Sequence, residues 1–443
     1  MSAVSSPPSV DRARVSREDI AARLAEARAR TLALIAPLSE TDLTIQHDPL
    51  MSPILWDLGH IAHFEELWLE RNLTGPVEFG EMPGLYDPFE HPRRVRGALD
   101  LPPRDAAVHA MAEIRARVVA HLANVDLDGA SPLLRDGYVY AMVLQHEYQH
   151  NETILQTLQL KTGAPYRAPR AYALPVAADV DERSMAAFPG GRVRIGTDDR
   201  SAAYDNERPS HVVEIAPFSI DVFPVTNGAY LEFMREGGYA RREWWSAEGW
   251  AWLAESGATA PKYWTRAGDE WTVRVMDREH SIAEREPVCH VSYHEAAAYA
   301  SYAGKRLPTE AEWETAAGWN ATASRMQRFP WGEEPATHER ANVDQLSFGV
   351  APLGAYAANW SPVGCYGMIG DVWEWTSSDF RPFPGYATFP YPEYSEVFFG
   401  SEYKVLRGGS WATRPGAIRN SFRNWDYPIR RQIFSGFRCA RDG

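Results

Sequence analysis

The stretch R-D-G-Y-V-Y-A-M-V-L-Q-H-E-Y-Q-H-N-E-T-I-L-Q-T-L-Q-L-K, residues 135–161, decides how the chain is read. Val139, Val143, His146, His150, Ile154 and Leu158 recur in steps of three and four, so they share one stripe of an α-helix. His146 and His150 are i and i+4, which sets their Cβ atoms about 5–6 Å apart and lets both imidazoles reach one metal ion. Such a pair also arises by chance on helix surfaces. Here both lie on the apolar stripe, where buried imidazoles repel when charged and need partners when neutral. Metal ligation satisfies one nitrogen of each ring at once. Glu152, which closes H-E-Y-Q-H-N-E at 146–152, is open to three readings: a ligand, a solvated group, or an acceptor for the outer N–H of a ligand imidazole, the last being favoured.

Three more helical patterns precede this one. Ser16 and Asp19 form a capping-box-like start, followed by Ile20, Leu24, Ala27, Leu34 and Ile35. Residues 52–73 place Pro53 near a first helical position and carry Trp56, His60, Phe64 and Leu67 along one face. A third pattern runs over about 104–125. Four amphipathic segments predict an antiparallel four-helix bundle, whose interior commonly houses metal sites. A third ligand must come from another helix. His60 is the best candidate, with His63 the alternative, turned away by about 60°.

The chain divides into a disordered start at 1–15, the bundle at 16–166, an extended linker at 167–184 and a second domain at 185–443. In that last part Gly, Pro, Trp and Tyr are dense, and helical periods are short, near 227–236, 293–303 and 310–317. Strands are expected at 192–195 and 404–406, so the region reads as loop-rich α+β. A net charge of 45 − 59 = −14 argues against a nucleic-acid binder. No apolar run is long enough to cross a bilayer, and the first fifteen residues lack a secretory apolar core. Cys289, Cys365 and Cys439 are too few and too scattered for a disulfide framework, so a reducing cytoplasm is the expected compartment.

R-L-P-T-E-A-E-W-E at 306–314, G-D-V-W-E-W-T at 370–376, V-L-R-G-G-S-W at 405–411 and G-F-R-C-A-R at 436–441 follow one another in the second domain. Singly, each reads as Trp and Gly packing with internal Arg–Glu pairs. Together they resemble the formylglycine-generating-enzyme/sulfatase-modifying-factor domain, a C-type-lectin-like fold. W-D-L-G-H-I at 56–61 and H-E-Y-Q-H-N-E resemble a DinB-like bundle. The pairing of both modules resembles the ergothioneine-biosynthesis sulfoxide synthases, which are non-haem iron enzymes.

That resemblance implies that His60, His146 and His150 hold Fe(II), and that γ-glutamylcysteine, or cysteine, is joined through sulfur to the imidazole of hercynine by an O₂-dependent reaction. It places Arg93 and Arg96, from H-P-R-R-V-R at 91–96, on a substrate carboxylate, which suits the planar guanidinium fork. Asp426 is placed on the glutamyl ammonium, and Asn424, Trp425 and Gln149 on hercynine. An aromatic face suits a trimethylammonium group, which has no proton to donate. Tyr391 is placed as the catalytic proton donor, with Tyr394 positioning the hercynine imidazole. Formylglycine-generating enzymes use paired cysteines near the C-terminus, and residues 411–437 contain none. A selenium donor in the selenoneine pathway and a non-catalytic lectin-like binding protein are the competing readings; iron content separates the second of these.

Overall fold

The computed structural model describes residues 15–74, 84–169, 172–268 and 270–443. The disorder expected for the first fifteen residues falls outside the described part up to residue 14. Four long helices form the N-terminal bundle: α1 Arg17–Ile35, α2 Ile54–Glu66, α3 Arg104–Leu122 and α4 Tyr138–Leu160. Ser16 accepts the Asp19 N–H and caps α1. The second expected helix is interrupted, because α2 passes at Leu67–Arg71 into a π-helical turn that carries Trp68. α4 starts after two residues with positive φ, Asp136 at 59° and Gly137 at 71°.

One ion cluster takes a side chain from each bundle helix. Arg28 of α1 bonds Glu65 of α2 at 2.6 Å and Glu147 of α4 at 3.0 Å. Arg115 of α3 reaches the same carboxylates at 2.5 and 3.2 Å. Thr31 adds a hydrogen bond to Glu147 at 2.7 Å. Burial alone would push the Glu147 carboxyl up, but Arg28 and Arg115 hold it below the ordinary range.

In the C-terminal domain, Met185–Phe188, Phe218–Asp221 and Ala440–Asp442 form a sheet with Phe218–Asp221 in the middle, so the end of the chain pairs back beside the domain's start. A second sheet runs in the order Asn424–Asp426, Lys404–Arg407, Trp373–Asp379, Ser435–Gly436. Short helices lie at Asn227–Arg235, Ala247–Ser256, Tyr293–Tyr302 and Glu310–Gly318. Buried Arg–Glu pairs tie the loops: Arg438 to Glu374 at 2.7 Å, and Arg407 to Glu314 at 2.6 Å and Glu310 at 2.8 Å. The connecting segment is extended and packed, with Leu174, Ala177 and Val180 against the cluster around Val222 and Tyr356.

α4 is buried on two sides. Val139, Val143 and Ile154 are buried in its apolar stripe, while Gln145, Tyr148, Glu152 and Gln159 meet Ala202, Gly416, Trp373 and Arg274 of the C-terminal domain. Gly416 lies against the Tyr148 ring, where an added Cβ would sit 2.7 Å from a ring carbon. One apolar core therefore runs from Leu24 and Ile61 through α4 to Trp373, Trp411 and Phe434. Removing Glu147 would leave the buried Arg28 and the part-buried Arg115 guanidinium groups sharing one carboxylate, so Glu147→Ala is expected to destabilise the protein by about 3–5 kcal/mol in chemical denaturation. A loss under about 1 kcal/mol, the scale of an exposed pair, would show that the cluster has no structural weight.

Candidate functional site

α2 and α4 bring three imidazoles together. The nitrogens of His60, His146 and His150 lie within 4.8 Å of one another, and the Nε2 atoms of His60 and His146 face each other at 3.2 Å. His63 is outside this group, with its ring toward Tyr86. The outer nitrogens are oriented from behind. His60 Nδ1–H donates to the Tyr86 carbonyl at 2.9 Å, and His150 Nδ1–H donates to Asp57 Oδ1 at 3.2 Å. A carbonyl and a carboxylate only accept, so both rings turn an Nε2 lone pair inward. Burial, followed by the neighbouring imidazoles, lowers the pKa of His60 and of His146 well below the ordinary histidine value. Three converging imidazoles are a donor set suited to a divalent first-row metal.

The walls are aromatic. Trp56 stacks on His60 at 4.7 Å and Phe64 on His146 at 3.8 Å. Gly59 allows the approach of Tyr86, since a Cβ there would lie 2.1 Å from the phenol ring. Without that approach the Tyr86 carbonyl could not reach His60.

The imidazoles line a cavity of about 710 Å³ whose other wall is the C-terminal domain, with Tyr391, Tyr394, Asn424, Trp425 and Asp426. Tyr391 packs on Trp68 at 5.0 Å and on Phe64 at 6.1 Å. Tyr394 stacks on Tyr204 at 4.0 Å, and its hydroxyl accepts from Gln149 Nε2 at 3.0 Å. Burial pushes both phenols well above their ordinary pKa. Trp425 lies flat on Phe380 at 4.0 Å, so one of its faces is already covered. Asn424 Oδ1 accepts the Trp425 N–H at 2.9 Å. Asp426 lies 3.3 Å from Arg430, and burial, opposed by Arg430 and Arg93, raises its pKa.

The two arginines of the 91–96 run differ. Arg93 is exposed at the cavity wall, and its guanidinium has no acceptor among the described residues. Arg96 is buried, donates to Ser52 and to the His91 carbonyl, both at 2.7 Å, and covers Trp56 at 3.4 Å. Burial brings its pKa down to about 10, which leaves it charged at neutral pH.

Glu152 departs from its expected place. It accepts from Trp373 Nε1, Ser410 Oγ and Thr413 Oγ1, each at 2.7 Å, and touches no imidazole. One helical step of two residues past His150 turns it to the face of α4 that meets the C-terminal domain. Asp57 takes the role expected of it, and the visible signal was a lone acid inside the apolar run I-L-W-D-L-G-H-I.

An imidazole triad on a helical bundle, roofed by a loop-rich α+β domain, is the arrangement of a metal centre that faces a substrate cavity. Residues 23–154 match the DinB superfamily, and residues 172–443 match the sulfatase-modifying factor enzyme 1-like domain. Hercynine oxygenase of Mycobacterium tuberculosis is 46% identical, over 96% of this chain and 99% of its own length. That of Mycolicibacterium smegmatis is 44% identical, over 97% and 100%. A formylglycine-generating enzyme of Thermomonospora curvata is 34% identical, over 59% of this chain and 94% of its own. The chain belongs to the hercynine oxygenase family.

Orienting groups behind metal-bound histidines typically matter 10- to 100-fold, so Asp57→Ala is expected to weaken divalent-metal affinity by about that factor. His60→Ala should abolish stoichiometric binding while His63→Ala leaves it intact. Metal titration of the stripped proteins measures both, and the reverse order for the two histidines would reassign the third ligand.

Proposed function

We propose that the protein is an Fe(II)-dependent, O₂-consuming sulfoxide synthase of ergothioneine biosynthesis, joining the sulfur of γ-glutamylcysteine, or cysteine, to the imidazole of hercynine. The observation that carries this reading is one cavity holding the three imidazoles, a partly buried tyrosine and a carboxylate flanked by arginines. Fe(II) on His60, His146 and His150 would keep its full dipositive charge, favour a thiolate and supply the electrons for O₂ chemistry.

The remaining groups bind and orient. Arg93 offers an open fork to the substrate carboxylate, and Arg96 has Nη2 left after its bonds to Ser52 and His91. Asp426, which lies beside Arg430, pairs with the glutamyl ammonium. Gln149 has its Oε1 free for the hercynine imidazole N–H, while its Nε2 holds Tyr394 in place. The Trp425 ring on the cavity wall receives the trimethylammonium group, and the Asn424 amide donates to the hercynine carboxylate. Tyr391 holds a proton at its hydroxyl close to where the carbon–sulfur bond forms, and its raised pKa keeps that proton in place at neutral pH. The aromatic walls exclude bulk water from the metal face of the cavity. The full anionic balance of the chain makes the local arginines the natural attractor of an acidic thiol.

Incubating the purified protein with hercynine, several thiols and air, and identifying products by mass spectrometry, tests the reading directly; absence of any hercynine–thiol adduct refutes it. A charge-assisted hydrogen bond contributes about 1.5–3 kcal/mol, so Asp426→Ala should weaken γ-glutamylcysteine roughly 10- to 150-fold and cysteine less. Equal losses for the two thiols would remove Asp426 from the glutamyl amine. Tyr391→Phe should keep iron and substrate affinity, lose most sulfoxide and raise the share of oxidised thiol. A phenol whose pKa is raised by burial stays neutral below its ordinary value near 10, so the parent's sulfoxide yield per thiol consumed should be flat from pH 7 to about 10. A fall in that yield well below pH 9 would assign the proton to another group.

A further inference from the structure

The Tyr391 hydroxyl has no protein partner among the described residues, so its position depends on its ring contacts and on how its loop is anchored. That loop is tied at both ends to one carboxylate. Asp205 Oδ2 accepts the Tyr386 hydroxyl at 2.9 Å and the Phe389 backbone N–H at 3.1 Å, and Oδ1 accepts the Ser395 hydroxyl at 2.5 Å. Asn206 Nδ2 adds a bond to the same Ser395 oxygen at 3.0 Å. Tyr391 and Tyr394 lie between these fixed points. Asp205 is 1% exposed and Ser395 fully buried, so water cannot replace a lost partner.

Asp205 is itself referenced to the metal helix. It begins the turn Asp205–Glu207. Glu207 accepts from Arg419 Nε at 2.8 Å, and Arg419 Nη1 donates to Gln145 Oε1 at 2.8 Å, one residue before His146. Arg423 holds the turn from the other side through the Asn206 carbonyl at 2.8 Å. Tyr204, next in the chain, is the ring on which Tyr394 stacks. Side-chain hydrogen bonds at both ends of the Asp205–Glu207 turn thus connect the helix that carries two imidazoles with the loop that carries both tyrosines.

We propose that Asp205 is the positioning residue of the reaction: by accepting from Tyr386, Phe389 and Ser395 it holds the 386–395 loop so that Tyr391 keeps a fixed place on the wall of the cavity that the imidazoles line. This rests on the proton-donor role given to Tyr391 above. Asp205 touches no substrate in this account and acts only through the loop.

Three variants grade the anchor: Asp205→Asn keeps the shape and loses a charged acceptor, Ser395→Ala removes one donor, and Tyr386→Phe another. Each is made as the full chain, loaded with Fe(II), beside Tyr391→Phe. Two readouts are taken: hydrogen exchange of amides 386–395 against those of α4, and sulfoxide formed per thiol consumed, with KM for both substrates. The expected result is exchange in the loop faster by about tenfold, α4 protection and iron content unchanged, and a product share moved in the direction of Tyr391→Phe with little change in KM. Unchanged loop exchange in all three variants overturns the anchor. Faster loop exchange with an unchanged product share, where Tyr391→Phe does shift it, overturns the positioning role. If Tyr391→Phe also leaves the share unchanged, the donor reading fails and the proposal with it, and the faster exchange identifies that as the cause. Loss of α4 protection or of iron in step with activity shows a general structural role and likewise overturns it.

Discussion

Four charged side chains, one from each bundle helix, set the register on which everything else depends. Arg28, Glu65, Arg115 and Glu147 meet between the helices, largely shielded from solvent, and none of the four tolerates losing its opposite charges. Apolar packing between helices permits small axial slips, whereas a two-by-two set of guanidinium–carboxylate contacts does not. Glu147 adjoins His146, and Glu65 is five residues beyond His60. Fixing these acids against common arginines therefore fixes the relative height of α2 and α4, and with it the distance between imidazoles on different helices.

The other constraint is that α4 answers to two partners. Its bundle side supplies ligands, while Glu152 is buried among three donors of the C-terminal domain. Burial raises that carboxyl's pKa, and the three donors oppose the shift. The roof of the cavity is consequently located by the same helix that forms its floor. Two modules that elsewhere serve other chemistry share one core here, and the tyrosine loop is measured against the metal face through rigid contacts on both sides.

Local periodicity made part of this legible. His146 and His150 stand on a stripe whose apolar members are four or three residues away, and Trp56, Phe64 and Leu67 fix the face that His60 occupies. The dense C-terminal motifs marked a loop-rich domain stapled by Arg–Glu pairs. What stayed hidden depends on partners distant in sequence or lacking a side-chain signature. The Tyr86 carbonyl that orients His60 is backbone, which any residue could supply, and only the bare Cα of Gly59 hints at the approach. Glu152 meets its donors more than two hundred residues onward, so its adjacency to the ligand helix suggested the wrong neighbour. Arg28, Arg115, Glu65 and Glu147 look in sequence like charges on wet helix faces, because pattern alone does not show which polar face another helix will cover.

The π-helical turn at Leu67–Arg71 carries a consequence of its own. Such a turn bonds i to i+5 and so accommodates one residue beyond an α-helical turn, while each residue of an α-helix advances the azimuth by about 100°. Trp68, inside that turn, is the ring on which Tyr391 rests. Deleting a single residue there would let the helix run on as regular α with the following residues nearly in phase, because one wide turn covers about the same angle as an α turn of one residue fewer, so that Trp68 and its neighbours inside the turn are the side chains re-aimed. Chain length at this point is thus a heritable dial on the shape of the cavity, one that insertions and deletions can move while every residue type that contacts substrate stays the same.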